Sequence, residues 1–140
     1  MEPRRLIAEL GLRPHPEGGW YRETWRTPAP PGQRSTMSVI HFLLEAGQRS
    51  HWHRVDADEL WAWHAGSPLH LLRAAADGAR ETIMLGSDVL AGERPHHAIP
   101  AGDWQAARAD RGWALVSCIV APGFEFSGFT LAPPGWEPGG

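Results

Sequence analysis

Ser50-His51-Trp52-His53, followed by Asp58-Glu59 and Gly66, carries the residue types and spacing best suited to chemistry in this chain. Histidines at i and i+2 of a strand point to one face. A carboxylate brought across a turn by the next strand can meet them there. Two imidazoles and one carboxylate form a common metal-ligand set that leaves coordination positions open. The same groups serve as general acid and base. His51, His53 and Glu59 are the candidate ligands, and Asp58 is the rival carboxylate. Neighbours on a strand face opposite ways, so only one of the two acids points in. Without a metal, the two histidines form a hydrogen-bonded pair in a polar interior. Trp61 and Trp63 share a face with Glu59, where they would wall the cluster and stack on a ring-shaped ligand.

Another element is Pro100-Ala101-Gly102-Asp103-Trp104-Gln105. Pro-x-Gly is a tight-turn signature that launches a new strand. Gln105 would offer its amide oxygen as a fourth, neutral ligand. The plainer reading is a surface hairpin with Gln105 exposed.

The elements that must position these residues are mostly strands. Residues 3–10 read as a short helix, with Pro3 in the first turn, a Leu6, Ile7 and Leu10 stripe, and Gly11 as the stop. His15-Pro16-Glu17-Gly18-Gly19 is turn-rich, and His15 and Glu17 would sit over the barrel mouth. Residues 20–26 alternate as a strand, with Tyr21, Glu23 and Trp25 on one face. Further strands are expected at 36–44, 51–53, 59–63, 68–73, 80–85, 104–108, 113–120 and 126–131, with Ile99 leading into the Pro-x-Gly turn. Short strands with Gly/Pro punctuation and no second long helix predict an all-β jelly roll or barrel. Residues 1–132 form one domain, and the tail 133–140 is expected to be disordered. The strand 20–26 is the expected edge strand at a dimer contact.

Composition narrows the function. The chain has 140 residues, enough for one domain with a true core. A net charge of -3 makes no electrostatic case for nucleic acid. There is no lysine, which excludes a Schiff-base lysine and with it pyridoxal chemistry. Cys118 is the sole cysteine and lies in an apolar run, as a buried inert thiol would. No apolar run reaches membrane-spanning length, and no signal peptide is evident, so a cytoplasmic protein is expected. Most of the eight tryptophans are expected in the core or a dimer interface. No nucleophile elbow, phosphate-binding loop, dinucleotide fingerprint or Cys-x-x-Cys occurs.

Together the two elements resemble the cupin superfamily. The first cupin motif is matched here by Gly47, His51, His53, Glu59 and Gly66. The other cupin motif resembles Pro100 to Gln105, with glutamine where the family has histidine. Gly47 is closer to His51 than usual, and the gap from His53 to Glu59 is one residue longer than usual. A closer resemblance covers nearly the whole chain. His15-Pro16-Glu17-Gly18-Gly19, Tyr21-Arg22-Glu23-Thr24, Ser50 to Arg54, Asp58 to Trp61, Ala65-Gly66, Pro100 to Gly102 and Val120 to Phe124 resemble the signature of a cupin branch of unknown function. That resemblance implies a double-stranded β-helix, a homodimer, and similarity to dTDP-sugar epimerases, germins and seed-storage cupins.

Epimerisation beside a carbonyl needs a base to remove a proton and an acid to return it. His51 or His53 would be the base, and Tyr21, the one tyrosine, the acid. Glu23, Arg54, Trp61 and Trp63 are candidate ligand contacts. A diphosphate clamp would draw on Arg22, Arg26 and Arg54, for which a solvated rim is the plainer role. Three classes follow. One is a cupin that binds a small polar molecule through a divalent metal (iron, zinc, nickel or manganese) on His51, His53, Glu59 and Gln105. Another is a metal-free sugar epimerase or isomerase, and the third is a non-catalytic binding module.

Overall fold

Runs of β-branched and aromatic residues separated by glycine and proline leave this chain few options besides stacked antiparallel sheets. The computed structural model describes residues 3–139; Met1, Glu2 and Gly140 lie outside the described residues. The elements are α1 (Pro3–Leu10), β1 (Arg13–Pro14), β2 (Trp20–Arg26), β3 (Ser38–Leu44), β4 (Arg49–Val55), β5 (Asp58–Gly66), β6 (Leu69–Ala74), β7 (Arg80–Leu85), β8 (His96–Ile99), β9 (Trp104–Arg108), β10 (Ala114–Ala121) and β11 (Phe129–Leu131). A six-stranded sheet runs β1-β2-β3-β10-β5-β8, and a five-stranded sheet runs β11-β4-β9-β6-β7. All ladders between these strands are antiparallel. This is the expected all-β jelly roll with a short N-terminal helix. The expected strand at 126–131 starts later, because Phe126–Gly128 coil into a single 3-10 turn.

Between the sheets, Phe42, Leu44, Trp61, Leu71, Leu85, Val116 and Cys118 pack one end of the barrel solid. The outer faces are covered as well. On β3, Leu43 points away from the interior and is buried under Ile7 and Leu12, so α1 shields that face of the six-stranded sheet. This explains why β3 reads as apolar on both faces. The outer edge of β2 is paired by β1 only at Trp20 and Tyr21 among the described residues, and Trp25 is exposed.

The C-terminal segment departs from expectation. Residues 133–139, expected to be disordered, lie against the outer face of the five-stranded sheet. Trp136 stacks on Trp104 at 4.5 Å between ring centroids and packs with Trp52 and Ala106. A large indole gains enough from burial to hold a short tail in place.

The N-terminal turn depends on its glycines. Gly18 has φ +109, and a Cβ there would collide with the Arg49 carbonyl oxygen. Gly47 also has a positive φ but opens onto empty space. Gly18→Ala is therefore expected to cost clearly more than the roughly 1–2 kcal/mol of left-handed strain that Gly47→Ala incurs. Urea unfolding of the two variants measures the difference, and equal losses would show that the turn yields freely.

Candidate functional site

The packed end of the barrel gives way to a cavity of about 410 Å³ at the other. Its walls come from both sheets. His53 and Val55 enter from β4, Glu59 from β5, and Tyr21, Glu23 and Arg26 from β2. His15 and Glu17 enter from the N-terminal turn. The segment after β10 arches over the opening with Phe124, Phe126 and Phe129.

A bulge in β4 selects its inward side chains. Ser50 pairs with Ala107 and His53 with Gln105, so three steps along β4 match two along β9. One extra residue reverses the alternation. Ser50 and His53 both point inward as a result. His51 does not join His53: its Nε2 bonds the Pro133 carbonyl oxygen at 2.9 Å, outside the cavity. The expected convergence of His51 with His53 therefore does not occur. A similar irregularity between Glu23 and Trp25 in β2 brings Arg26 opposite Ser38 and onto the cavity wall.

Hydrogen bonds fix the polar groups. His53 Nδ1 lies 2.7 Å from the His51 carbonyl oxygen, which can only accept, so Nδ1 carries a proton. His53 Nε2 then faces Glu17 Oε2 at 3.5 Å. The Glu17 backbone N–H donates to His15 Nδ1 at 3.1 Å, and the Ser50 hydroxyl donates to Glu17 Oε2. Glu59 Oε1 accepts from the Gln105 amide at 3.1 Å, while Gln105 Oε1 accepts from the Trp61 indole N–H at 2.6 Å. Of the two neighbouring acids, Glu59 points in. Asp58 stays at the surface and accepts the Ala101 N–H at 2.9 Å.

Burial dominates the electrostatics. It pushes Glu17 up to about 8, against the Ser50 hydrogen bond. It pushes Glu59 up to about 7; His53 opposes the rise and Glu17 adds to it. His15 falls to about 4, through burial and then the nearby charge of His53. Burial also lowers His53, against the pull of Glu59. The Cys118 thiol, hydrogen-bonded to Glu59, is raised by burial and by the two carboxyls, as suits an inert core thiol. Near neutral pH the site therefore holds acids that keep protons beside imidazoles that lack them.

Residues 4–132 match the family described as Cupin superfamily (DUF985). The chain belongs to the cupin superfamily. An X-ray structure of a Shewanella oneidensis protein is similar at 40% identity, with TM-score 0.89, covering 94% of this chain and 85% of that one. A hypothetical protein from Leishmania major is similar at 32% identity, with TM-score 0.87, covering 94% and 88%. Oxalate decarboxylase from Bacillus subtilis, a protein with Mn(II) centres, shares the fold at 15% identity and TM-score 0.65, covering 86% of this chain and 30% of that one. Comparison with curated proteins gives no match.

This cupin does not gather the metal set its motifs suggest. His51 faces away from the cavity, and Gln105 gives its amide oxygen to Trp61 rather than to the cavity. Among the described residues, no group of three or more His, Cys, Asp or Glu side chains is placed to hold a metal ion. The residues present do not fit the expected four-ligand site.

The other candidates divide. Tyr21 and Glu23 line the cavity, Tyr21 with its ring 4.4 Å from His15 and Glu23 paired with Arg26. Trp61 is core, and Trp63 packs against the core and donates to the Ser67 carbonyl at 3.0 Å. Neither indole lines the cavity. Arg54 is exposed and lies over Trp104 on the outer surface, 4.8 Å from its ring. Sequence reasoning places His15 and Glu17 over the mouth, whereas they form part of its inner wall. It overlooks Ser50, whose role depends on the bulge. It also misses the phenylalanines at 124, 126 and 129, whose clustering just before and at the start of β11 is the available signal. No helix among the described residues is long and apolar enough to cross a membrane.

Two outcomes follow. A carboxyl raised on folding contributes stability that is present below its unfolded pKa and is lost as pH rises through its folded pKa. For Glu17 that window runs from 4.5 to about 8. Wild type should lose stability across it, and Glu17→Gln should lose markedly less, as read from urea midpoints at several pH values. His51→Ala should cost about 1 kcal/mol for its bond to Pro133. It should leave the cavity's ligand affinity within about twofold, because the side chain lies outside; a loss of about a hundredfold would place His51 in the site after all.

Proposed function

We propose that this cupin binds a small polar carbonyl compound in the barrel cavity and moves a proton on the carbon beside the carbonyl, as an isomerase or epimerase does. The observation that carries this reading is the tautomer of His53. The His51 carbonyl holds the proton on Nδ1, which leaves the Nε2 lone pair at the cavity wall beside Glu17.

The step needs no redox partner. His53 Nε2 takes the proton from carbon, and the electron pair moves into the carbonyl to give an enol or enolate. A protonated carboxyl or the Tyr21 hydroxyl donates to that oxygen. Return of a proton to carbon, on the other face or at the neighbouring carbon, gives the epimer or isomer. His53 stands on the five-stranded sheet, whereas Tyr21 and Glu59 stand on the six-stranded sheet, so donors and base flank the ligand from two sides.

The test is solvent exchange. Aldoses, ketoses, amino sugars and nucleotide sugars are incubated with the protein in deuterium oxide, and carbon-bound deuterium is followed by NMR. At least one compound should exchange, and His53→Gln should slow it by about a hundredfold or more. The rate should rise as His53 loses its proton below neutrality and fall as the protonated carboxyls ionise at about 7 to 8. Exchange that survives His53→Gln unchanged would remove His53 as the base.

A further inference from the structure

The charges around the cavity constrain its ligand. Glu17 and Glu59 are buried in its wall, and no arginine pairs with either among the described residues. Arg26 is the one arginine on the wall. Its Nε is held by Glu23, and its Nη2 donates to the Phe124 carbonyl at 2.7 Å. Arg34, behind the arch, holds Asp56 at 2.8 Å and Glu125 at 3.2 Å, and donates to the Gly123 carbonyl. The basic neighbours of the two carboxyls are His15 and His53, which burial keeps uncharged near neutrality. A phosphate or diphosphate entering this space would meet carboxyls and one guanidinium already ion-paired with Glu23.

The lining beside these groups is aromatic: the Phe129 ring lies 5.5 Å from that of His53 and 6.1 Å from that of His15. Phe124 and Phe126 stand at 88° with centroids 4.8 Å apart, and Phe126 and Phe129 at 83° and 5.9 Å. Rings set near right angles present faces and edges from several sides, and ring faces attract cations. Buried carboxyls without a cationic partner, in a cavity they share with aromatic rings, make a receptor for positive charge. We propose that the cavity takes a compact organic cation, a protonated amine or a quaternary ammonium, and rejects phosphorylated and nucleotide-bearing anions.

This inference rests on the reading of the cavity as a ligand site and names the class of ligand. It replaces the arginine-clamped nucleotide sugar suggested by the epimerase likeness. It also links binding to protons. A bound cation favours the ionised form of Glu17 on the N-terminal turn and of Glu59 on β5. The other charged or titratable groups facing them are His15, His53 on β4, the Glu23–Arg26 pair on β2, Tyr21, Glu125 on the arch and the Cys118 thiol on β10, which is hydrogen-bonded to Glu59. Binding therefore releases protons, and affinity rises with pH up to about 8.

The probes are choline, its uncharged carbon isostere neohexyl alcohol, and dTDP-glucose, titrated calorimetrically into the full chain at about pH 6.5 and about pH 8.5. Choline should bind about tenfold or more tightly than the isostere, with a gap that widens at the higher pH. dTDP-glucose should not bind. Glu17→Gln and Glu59→Gln should each narrow the gap, with folding of each variant checked by circular dichroism. Equal affinity for choline and its isostere, absence of choline binding, or tighter binding of dTDP-glucose would each overturn the proposal. Deuterium exchange on a neutral or anionic sugar, lost in His53→Gln, would sink the cation preference and leave the proton-transfer reading standing. Choline binding without exchange on any compound would do the reverse.

Discussion

One extra residue in β4, between Ser50 and His53, decides what the interior of this barrel can do. Strand alternation would send His51 and His53 inward together. The bulge sends Ser50 and His53 inward instead, and the consequences spread from there. Ser50 reaches Glu17 and ties the N-terminal turn to the barrel. The His51 N–H donates to the Glu17 carbonyl at 2.8 Å, and the His51 carbonyl fixes the His53 tautomer. His51 thus supports the site with its backbone while its side chain fastens the C-terminal segment outside.

A further constraint is the cost of burying acids. A buried carboxylate without a cation is expensive, and a protein relieves that cost by keeping the proton. Glu17 and Glu59 do so, with Ser50 and Gln105 as hydrogen-bond partners. Gln105 is itself held by Trp61, which lies wholly in the core. The packed end of the barrel thereby orients the polar end through a chain of two hydrogen bonds. Any residue at position 105 that accepts from the indole and donates to Glu59 has its acceptor atom engaged away from a metal: glutamine commits its amide oxygen to Trp61, as a neutral histidine would commit its one acceptor nitrogen. That double role is therefore a reason for the missing ligand set, beside the glutamine's departure from the motif.

Much of the architecture was legible from periodicity and punctuation. The α1 stripe, the strand at 20–26 and the two-faced apolar strand β3 are read directly from residue order. Glu59 over Asp58 follows from alternation once Trp61 is assigned to the core. The parity of β4 was not legible, because a bulge is an agreement between two strands far apart in sequence and leaves no mark on either one alone. Trp61 and Trp63 belong to one face as alternation requires, yet that face meets the packed end of the barrel, and periodicity does not say where along a strand the cavity begins. His15 and Glu17 resemble lid residues in sequence because their segment is all turn. Gly18 and Gly19 let that turn press against Arg49 and Leu44, and so carry both side chains inside.

The arch after β10 completes the logic. Its phenylalanines lie over an opening whose floor is polar, and a loop with that much apolar surface needs anchors to stay in place. Arg26 and Arg34 provide them by bonding the carbonyls of Phe124 and Gly123. The two arginines nearest the mouth are thus committed to holding aromatic rings over the cavity. Both guanidiniums are also ion-paired, Arg26 with Glu23 and Arg34 with Asp56 and Glu125, so the residues that shape the opening have their charge offset before an anionic ligand could use it.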